Sequence, residues 1–185
     1  MHPAIFLDRD GVIIENRPGY VRLWSDVDIF PEAIQALIRA AQSPYKIIVV
    51  TNQSVVGRGI ISLEDAQEIN RQLVDTIQKS GGRIDGVYMC THHPDDGCTC
   101  RKPEIGLIQQ AARDHDLDLG LSILIGDAMT DLVAAKAAGI PSKALVLTGR
   151  GPITEDQITA KDIQGVSIYK DILMAINDFI ADSIN

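Results

Sequence analysis

Short apolar runs alternate with longer amphipathic segments along this sequence, and the alternation constrains its fold more than any other feature. Five runs are apolar and largely β-branched, which is typical of strands buried on both faces: residues 4–7, 46–50, 86–90, 123–125 and 144–147. Five segments carry apolar residues at helical spacing: residues 31–42, 62–80, 103–116, 130–138 and 171–181. The pattern predicts an α/β fold, a Rossmann-like parallel sheet with helices on both faces.

Local signals mark the ends of several of these helices. Ser62 is placed to cap the second helix, with Asp65 in the capping-box position. Pro103 is expected to open the third helix, since proline is favoured in a first helical turn. Residues 148–165 form the one long polar stretch of the sequence, and we interpret them as a surface loop.

Size and charge limit the class of protein. The 185 residues fit a single domain over 1–185. The 17 Lys and Arg against 25 Asp and Glu give a net charge of −8, which argues against nucleic acid and anionic membranes as partners. No apolar run approaches the ~20 residues that span a bilayer, and residues 1–8 lack the basic start of a signal peptide. We expect a cytoplasmic monomer without disulfides.

Polar residues follow the predicted strands where a parallel sheet presents its ligand. Asp8 and Asp10 follow the first strand, Thr51 follows the second, and Asp127 follows the fourth. Because ligands of open α/β sheets bind beyond the carboxyl ends of the strands, these side chains are expected to converge. Converging carboxylates raise one another's pKa, and a hard divalent cation such as Mg²⁺ relieves that repulsion. A carboxylate beside such a cation also suits the role of nucleophile.

All three cysteines lie within eleven residues, together with two histidines. Cys90, His92, Cys98 and Cys100 form a Cys-x-His and a Cys-x-Cys pair around a short loop. Three thiolates and one imidazole are a ligand set of tetrahedral structural zinc, with no position left open for catalysis. His93 is an alternative ligand to His92. We therefore predict a loop that Zn²⁺ orders by coordination.

Four motifs together resemble those of the haloacid dehalogenase (HAD) superfamily of phosphatases. They are Asp8-Arg9-Asp10-Gly11, Thr51, Lys102, and Gly126-Asp127 with Asp131. The resemblance extends from about Ile5 to Gly151 and implies the HAD fold. The intervals between the first three motifs are too short to hold a separate cap domain, so we expect a capless member.

The resemblance also implies a role for each motif residue. Asp8 would attack phosphorus and become an aspartyl phosphate, while Asp10 would serve first as general acid and then as general base. Thr51 would hydrogen-bond the phosphoryl group, and Lys102 would neutralise its charge, as phosphoryl transfer requires. Catalytic Mg²⁺ would have three ligands and one supporting residue: the Asp8 carboxylate, the Asp10 backbone carbonyl and Asp127, supported by Asp131.

The cysteine loop indicates which subgroups of the superfamily the sequence resembles. A loop of this kind followed by Arg101-Lys102-Pro103 is similar to that of the D-glycero-D-manno-heptose 1,7-bisphosphate 7-phosphatases and of the histidinol-phosphate phosphatases. By this resemblance eight residues would contact substrate: Gly19, Tyr20, Thr51, Asn52, Gln53, Ser54, Arg101 and Lys102. Two departures concern the sugar contacts: Ala128 stands where lysine is frequent in the heptose enzymes, and Val55 where glycine is common.

The leading hypothesis is hydrolysis of a small sugar bisphosphate, heptose 1,7-bisphosphate, to its 1-phosphate. A histidinol-phosphate phosphatase is an alternative, because Asp95 and Asp96 could supply an acidic wall for the substrate amine. A polynucleotide 3′-phosphatase would share the Thr-Asn-Gln motif, but the net charge of −8 opposes it. A catalytically dead, zinc-stabilised binding module is a further class, which the four intact motifs oppose.

Overall fold

Parallel strands form the centre of the structure, a computed structural model that describes residues 1–161 and 164–182. In these residues six strands form one sheet: β1 (Ala4–Leu7), β2 (Lys46–Asn52), β3 (Gly86–Cys90), β4 (Ile123–Gly126), β5 (Ser142–Val146) and β6 (Val166–Tyr169). Their order is β3-β2-β1-β4-β5-β6, and all neighbours are parallel. The order reverses between β1 and β4, the point at which α/β sheets bind ligands.

Helices connect and cover these strands. The described residues hold seven: α1 (Pro31–Ala41), α2 (Ser54–Gly57), α3 (Leu63–Lys79), α4 (Gly106–His115), α5 (Met129–Ala137), α6 (Gly151–Lys161) and α7 (Ile172–Asp182). Between β1 and β2 the chain forms α1 and one 3-10 turn, and between β2 and β3 it forms α2 and α3. Neither connection contains a separate cap, so the capless α/β fold that the sequence predicts is confirmed. No helix in the described ranges is long and apolar enough to span a bilayer.

Each face of the sheet has its own apolar core. On one face, Ile5 and Leu7 of β1 pack in a cluster with residues of α1, α3 and α7. On the other face, Ala4 and Phe6 pack with residues of α4 and α5. Successive side chains of a strand point to opposite faces, which is why β1 is apolar at every position. The strands β1, β2 and β4, whose ends carry the candidate site residues, are packed between these two cores.

The start of α4 differs from the sequence-based prediction. We expected Pro103 to open this helix, but the helix begins at Gly106. Residues 101–104 form a turn in which the Glu104 backbone N–H donates to the Arg101 carbonyl at 2.8 Å. The Gly106 N–H then donates to the Thr99 carbonyl at 3.0 Å. These hydrogen bonds hold the segment against the cysteine loop instead of starting the helix.

The prediction of a surface loop over residues 148–165 is wrong, because this stretch contains α6 and β6 follows it directly. Helix α6 has no continuous apolar stripe, so periodicity gives no signal for it. A polar contact attaches it to the sheet: the buried Thr154 hydroxyl donates to the Asp127 carbonyl at 2.8 Å. Strand β6 completes the sheet edge beside β5.

Candidate active site

A cavity of about 1020 Å³ opens at the carboxyl edge of the sheet. It is lined by the four motif residues predicted to react with or bind the phosphoryl group, Asp8, Asp10, Thr51 and Lys102, and by Asp127, which is predicted as a Mg²⁺ ligand. Five of the remaining predicted substrate contacts also line it: Tyr20, Asn52, Gln53, Ser54 and Arg101. The adjacent Gly19 does not line the cavity. The convergence expected from the strand ends is therefore present in the structure.

Lys102 is the buried cation at the centre of the site. Its Nζ lies 2.6 Å from Asp131 Oδ1 and 3.0 Å from Asp8 Oδ1, and it donates to the Val50 carbonyl at 2.6 Å. Burial by itself would lower the pKa of Lys102, but the charges of Asp131 and Asp8 outweigh it and raise that pKa. The side chain therefore stays charged and fixed beside the Asp8 carboxylate.

Asn52 fixes the backbone of Lys102. The Asn52 side-chain amide donates to the Lys102 carbonyl at 3.0 Å, and the Lys102 N–H donates back to Asn52 Oδ1 at 3.0 Å. This pair of bonds joins the end of β2 to the segment after the cysteine loop. The substrate contact predicted for Asn52 stays a prediction; the contact that the structure shows for its amide is with the Lys102 backbone.

Three carboxylates crowd together beside Lys102. Ligating oxygens of Asp8, Asp127 and Asp131 all lie within 4.8 Å of one another. Burial raises the pKa of Asp8 to about 8; the charge of Lys102 opposes this shift, and Asp131 and Asp127 add to it. Burial likewise raises the pKa of Asp127 to about 6, against the hydrogen bond from the Arg150 backbone. A buried set of hard oxygen donors that repel one another fits Mg²⁺.

Asp127 is oriented by two residues that sequence reasoning missed. Its Oδ2 accepts hydrogen bonds from Asn16 Nδ2 at 3.0 Å and from the Arg150 backbone N–H at 2.8 Å. Both Asn16 and Arg150 also line the cavity. Arg150 lies in the loop after β5, so the rule that selected residues after strands would have found it. Asn16 had no comparable signal.

Asp10 is held in place from two sides. Its Oδ2 accepts from Gln53 Nε2 at 2.7 Å and from Arg9 Nε at 3.1 Å. The same Gln53 nitrogen lies 2.8 Å from the Thr51 hydroxyl oxygen, to which it donates. Asp10 itself faces the cavity, while Arg9 is 1% exposed and does not line it.

The cysteine loop brings the four predicted zinc ligands together. Cys90 Sγ lies 3.6 Å from Cys98 Sγ and 3.2 Å from Cys100 Sγ, and His92 Nδ1 lies 3.2 Å from Cys100 Sγ. A tetrahedral zinc–thiolate site with bonds of about 2.3 Å places its sulfurs about 3.8 Å apart, so the cluster fits zinc after a small expansion. The neighbouring His93 turns away, since its Nδ1 accepts from the Asp95 N–H at 3.3 Å.

The thiols of this cluster differ in acidity. Burial and the neighbouring thiols raise the pKa of Cys100 to about 12. Burial would also raise the pKa of Cys98, but hydrogen bonds led by that from the Arg101 backbone lower it overall. All three cysteines are free. Three thiols and one imidazole, whose ligand atoms all lie within 4.8 Å of one another, form a soft donor set that fits Zn²⁺.

A parallel α/β sheet that gathers three carboxylates and a buried lysine around one cavity defines a HAD-like hydrolase, and the HAD-hydrolase-like family model matches residues 99–176. D-glycero-β-D-manno-heptose-1,7-bisphosphate 7-phosphatase from Photorhabdus laumondii is 37% identical over 165 residues, covering 85% of this chain and 87% of that protein. The Helicobacter pylori enzyme of the same name is 36% identical, with 87% and 93% covered. The chain belongs to this family of HAD-like phosphatases.

A solved structure agrees with this membership. The crystal structure of D,D-heptose 1,7-bisphosphate phosphatase from Bordetella bronchiseptica, complexed with magnesium and phosphate, has a TM-score of 0.89 to this chain. The two are 32% identical, and the match covers 97% of this chain and 99% of the other. The family resemblance stated from the sequence motifs is thereby confirmed.

Proposed function

We propose that this chain is a magnesium-dependent phosphatase that hydrolyses D-glycero-D-manno-heptose 1,7-bisphosphate to the 1-phosphate through an aspartyl phosphate. The observation that carries the proposal is the placement of the Asp8 carboxylate beside Lys102 and Asp127 in one cavity. The relatives and the solved neighbour, which are named for this reaction, support the choice of substrate.

In the proposed mechanism Asp8 is the nucleophile. One of its oxygens forms a bond to phosphorus while the bond from phosphorus to the leaving sugar oxygen breaks. Asp10 gives its proton to that oxygen as general acid. In the second step Asp10, now ionised, takes a proton from water, the water oxygen bonds to phosphorus, and the bond to Asp8 breaks. The products are the alcohol, inorganic phosphate and the original enzyme.

Positive charge around the phosphoryl group is the second requirement. Lys102 and the Thr51 hydroxyl are placed to bind the transferred group, which carries its charge on three equatorial oxygens. Asp8, Asp127 and the Asp10 carbonyl would hold Mg²⁺, with Asp131 supporting them through Lys102. Bound there, the ion would neutralise negative charge that the carboxylates and phosphate otherwise share.

The rest of the cavity suits a second phosphate. Arg101 Nη1 is buried and has no hydrogen-bond partner among the described residues. Arg150 is exposed and lines the cavity wall. We assign both cations to the non-reacting phosphate, and the predicted contacts Tyr20, Gln53 and Ser54, which line the cavity, to the sugar region. Gly19 lies outside the lining and is not part of this assignment. Arg150 is thus a cation of the cavity wall, whereas Ala128, which also lines the cavity, offers no charge.

The cavity fits the alternative substrate, histidinol phosphate, less well, because it lacks the acidic wall expected for the substrate amine. Asp95 and Asp96, which could have formed an acidic wall for histidinol phosphate, do not line it. Asp96 Oδ2 instead accepts from the His93 N–H at 2.8 Å and caps the turn within the cysteine loop.

Zinc at Cys90, His92, Cys98 and Cys100 completes the proposal as a structural ion. Four protein ligands leave no position for substrate. Three free cysteines suit a reducing compartment; the cytoplasmic location and the monomeric state remain predictions.

A turnover screen tests the function. We expect heptose 1,7-bisphosphate to be hydrolysed with a far higher kcat/KM than histidinol phosphate or 3′-phosphorylated DNA, with reversible loss of activity when Mg²⁺ is chelated. Asp8→Asn should abolish turnover and the covalent phosphoenzyme, whereas the matched change Asp156→Asn on the exposed face of α6 should alter neither. Turnover by Asp8→Asn at the wild-type rate would show that Asp8 is not the nucleophile.

A further inference from the structure

We infer that Arg9, braced by Asn70 of α3, is a positioning residue that aims the Asp10 carboxylate for proton transfer to the leaving oxygen. The inference rests on the proposed function, in which Asp10 is the general acid. It concerns two residues that contact neither substrate nor metal in that mechanism. Neither residue lies among those predicted from the sequence motifs to react or bind.

The first observation is the burial of the Arg9 guanidinium. The Arg9 side chain is 2% exposed, against 25% for the Asp10 side chain that faces the cavity. A buried charge is strongly unfavourable unless it is paired and hydrogen-bonded. A surface salt bridge contributes little to stability, so the Asp10 pair alone gives no reason to bury the Arg9 charge. We therefore infer that the buried arginine has a specific role at this position.

The second observation is how the guanidinium distributes its donors. Arg9 Nε donates to Asp10 Oδ2 at 3.1 Å. Arg9 Nη2 lies 3.0 Å from the same Oδ2 and donates to Asp10 Oδ1 at 3.2 Å. This two-point contact fixes the plane of the carboxylate as well as its position, as planar guanidinium pairs do. The remaining nitrogen, Nη1, donates to Asn70 Oδ1 at 2.7 Å.

Counting acceptor sites identifies the reactive oxygen. A carboxylate oxygen offers about two lone pairs. Asp10 Oδ2 accepts from both Arg9 Nε and Gln53 Nε2, so both are occupied. Asp10 Oδ1 accepts from Arg9 Nη2 alone among the described residues. The geometry therefore assigns the transferred proton to Oδ1, whose free lone pair can hold it.

The burial of the polar Asn70 side chain is explained by its hydrogen bond to Arg9. It lies on the buried stripe of α3 with Ala66, Ile69 and Leu73, and is itself only 7% exposed. A polar amide on an apolar helix face costs stability unless it is hydrogen-bonded. Its Oδ1 faces Arg9 across 61 residues of sequence, so α3 acts as a rigid support for the guanidinium. Loss of that acceptor would leave Nη1 unpaired and free the arginine to rotate.

A leaving-group series distinguishes positioning from simple stabilisation. The probes are p-nitrophenyl, phenyl and benzyl phosphate, which are similar in size. Their leaving oxygens increase in basicity in that order, so their departure depends increasingly on protonation by a general acid. The measured quantity is kcat/KM, which reports only the steps up to departure of the leaving group and excludes hydrolysis of the phosphoenzyme. General acid catalysis contributes on the order of 10²–10⁴-fold, and misplacing it should remove part of that factor for benzyl phosphate.

The variants are Arg9→Lys and Asn70→Leu, with Asn70→Asp as the conservative rescue. We expect Asn70→Leu to lower kcat/KM for benzyl phosphate by roughly 10- to 100-fold, and for p-nitrophenyl phosphate by a much smaller factor. Arg9→Lys, which cannot make the two-point contact, should show the same steepened dependence. Asn70→Asp keeps the acceptor and should restore the wild-type dependence. Gln67→Leu, one turn away and exposed, is the matched control.

Two results would overturn the inference. The first would leave the proposed function standing, and the second would overturn the proposed function as well. If the wild type hydrolyses the series but Asn70→Leu and Arg9→Lys lower all three kcat/KM values equally, Arg9 only stabilises the fold and the proposed function survives. If the wild type hydrolyses none of the probes and no heptose bisphosphate, the proposed function fails and this inference with it. If Arg9→Lys does not fold, the comparison of Asn70→Leu with Asn70→Asp tests the inference, because both variants keep the arginine.

Discussion

Gly149→Ala gives the sharpest test of how the loop after β5 shapes the metal site. Gly149 has a φ of +56°, a region that residues with a side chain seldom adopt. A Cβ at this position would lie 2.3 Å from Asp127 Oδ2 and 2.6 Å from Asn16 Nδ2. On another side it would lie 2.6 Å from the Gly11 Cα, which is backbone and cannot yield easily. The added methyl group must therefore displace Asp127.

The size of the displacement follows from these distances. Ordinary contact of a Cβ begins at 3.4 Å, so the Asp127 oxygen must withdraw by about 1 Å. A misplacement of about 1 Å in a catalytic group can cost on the order of 10²-fold in rate. The positive φ adds a cost of about 1–2 kcal/mol in folding free energy. We expect both effects together: a large loss of magnesium-dependent activity and a modest loss of stability.

Gly139→Ala separates the two effects. Gly139 also has a positive φ, +76°, but among the described residues no atom would lie within 4 Å of a Cβ added there, and Gly139 does not line the cavity. It should lose a similar ~1–2 kcal/mol while keeping wild-type kinetics. Urea unfolding measures stability, and the rate as a function of Mg²⁺ concentration measures the site. A Gly149→Ala protein with the wild-type rate and magnesium dependence would refute the reasoning.

Two further predictions concern the walls of the cavity. Arg150→Ala should raise KM for heptose 1,7-bisphosphate by roughly tenfold or more, because a hydrogen bond to a charged group contributes about 1.5–3 kcal/mol. An equal rise in KM for p-nitrophenyl phosphate, which has no second phosphate, would show that Arg150 does not bind that group. Cys98→Ser should lose the zinc that elemental analysis is expected to find near one ion per chain, and should raise KM for the bisphosphate more than it lowers kcat for p-nitrophenyl phosphate. Wild-type protein purified without chelators and free of zinc would contradict the second prediction.

Much of the fold was predictable because its signals are local. The buried strands are apolar at consecutive positions, and Ser62 with Asp65 forms the expected capping box, with the Asp65 N–H donating to Ser62 Oγ at 3.0 Å. The placement of Asp8 and Asp127 followed from one rule about strand ends. The cysteine loop was predictable for a similar reason, since its ligand spacing lies within eleven residues.

The features that sequence reasoning missed depend on contacts between distant residues. The Asn16 amide reaches Asp127 across 111 positions. Asp127 was predicted from its place after a strand, but no local pattern marks Asn16 as its partner. Helix α6 is held by Thr154 and by the Arg150 backbone, so its residues need no apolar periodicity. Hydrogen bonds of this kind carry little compositional signal, whereas burial of apolar surface leaves a periodic one.

Lys102 and Arg101 are adjacent in sequence but are held by different parts of the molecule. This difference decides which of the two side chains zinc, if bound at the proposed site, would hold in place. Lys102 belongs to the sheet, because its Nζ donates to the Val50 carbonyl at 2.6 Å and Asn52 holds its backbone with two bonds of 3.0 Å. The Arg101 backbone instead hydrogen-bonds the Cys98 thiol, and its Nη1 has no partner in the described structure. Release of zinc should therefore disturb Arg101 first while Lys102 keeps its place beside Asp8. The chemical step then survives the loss of zinc better than recognition of the second phosphate does.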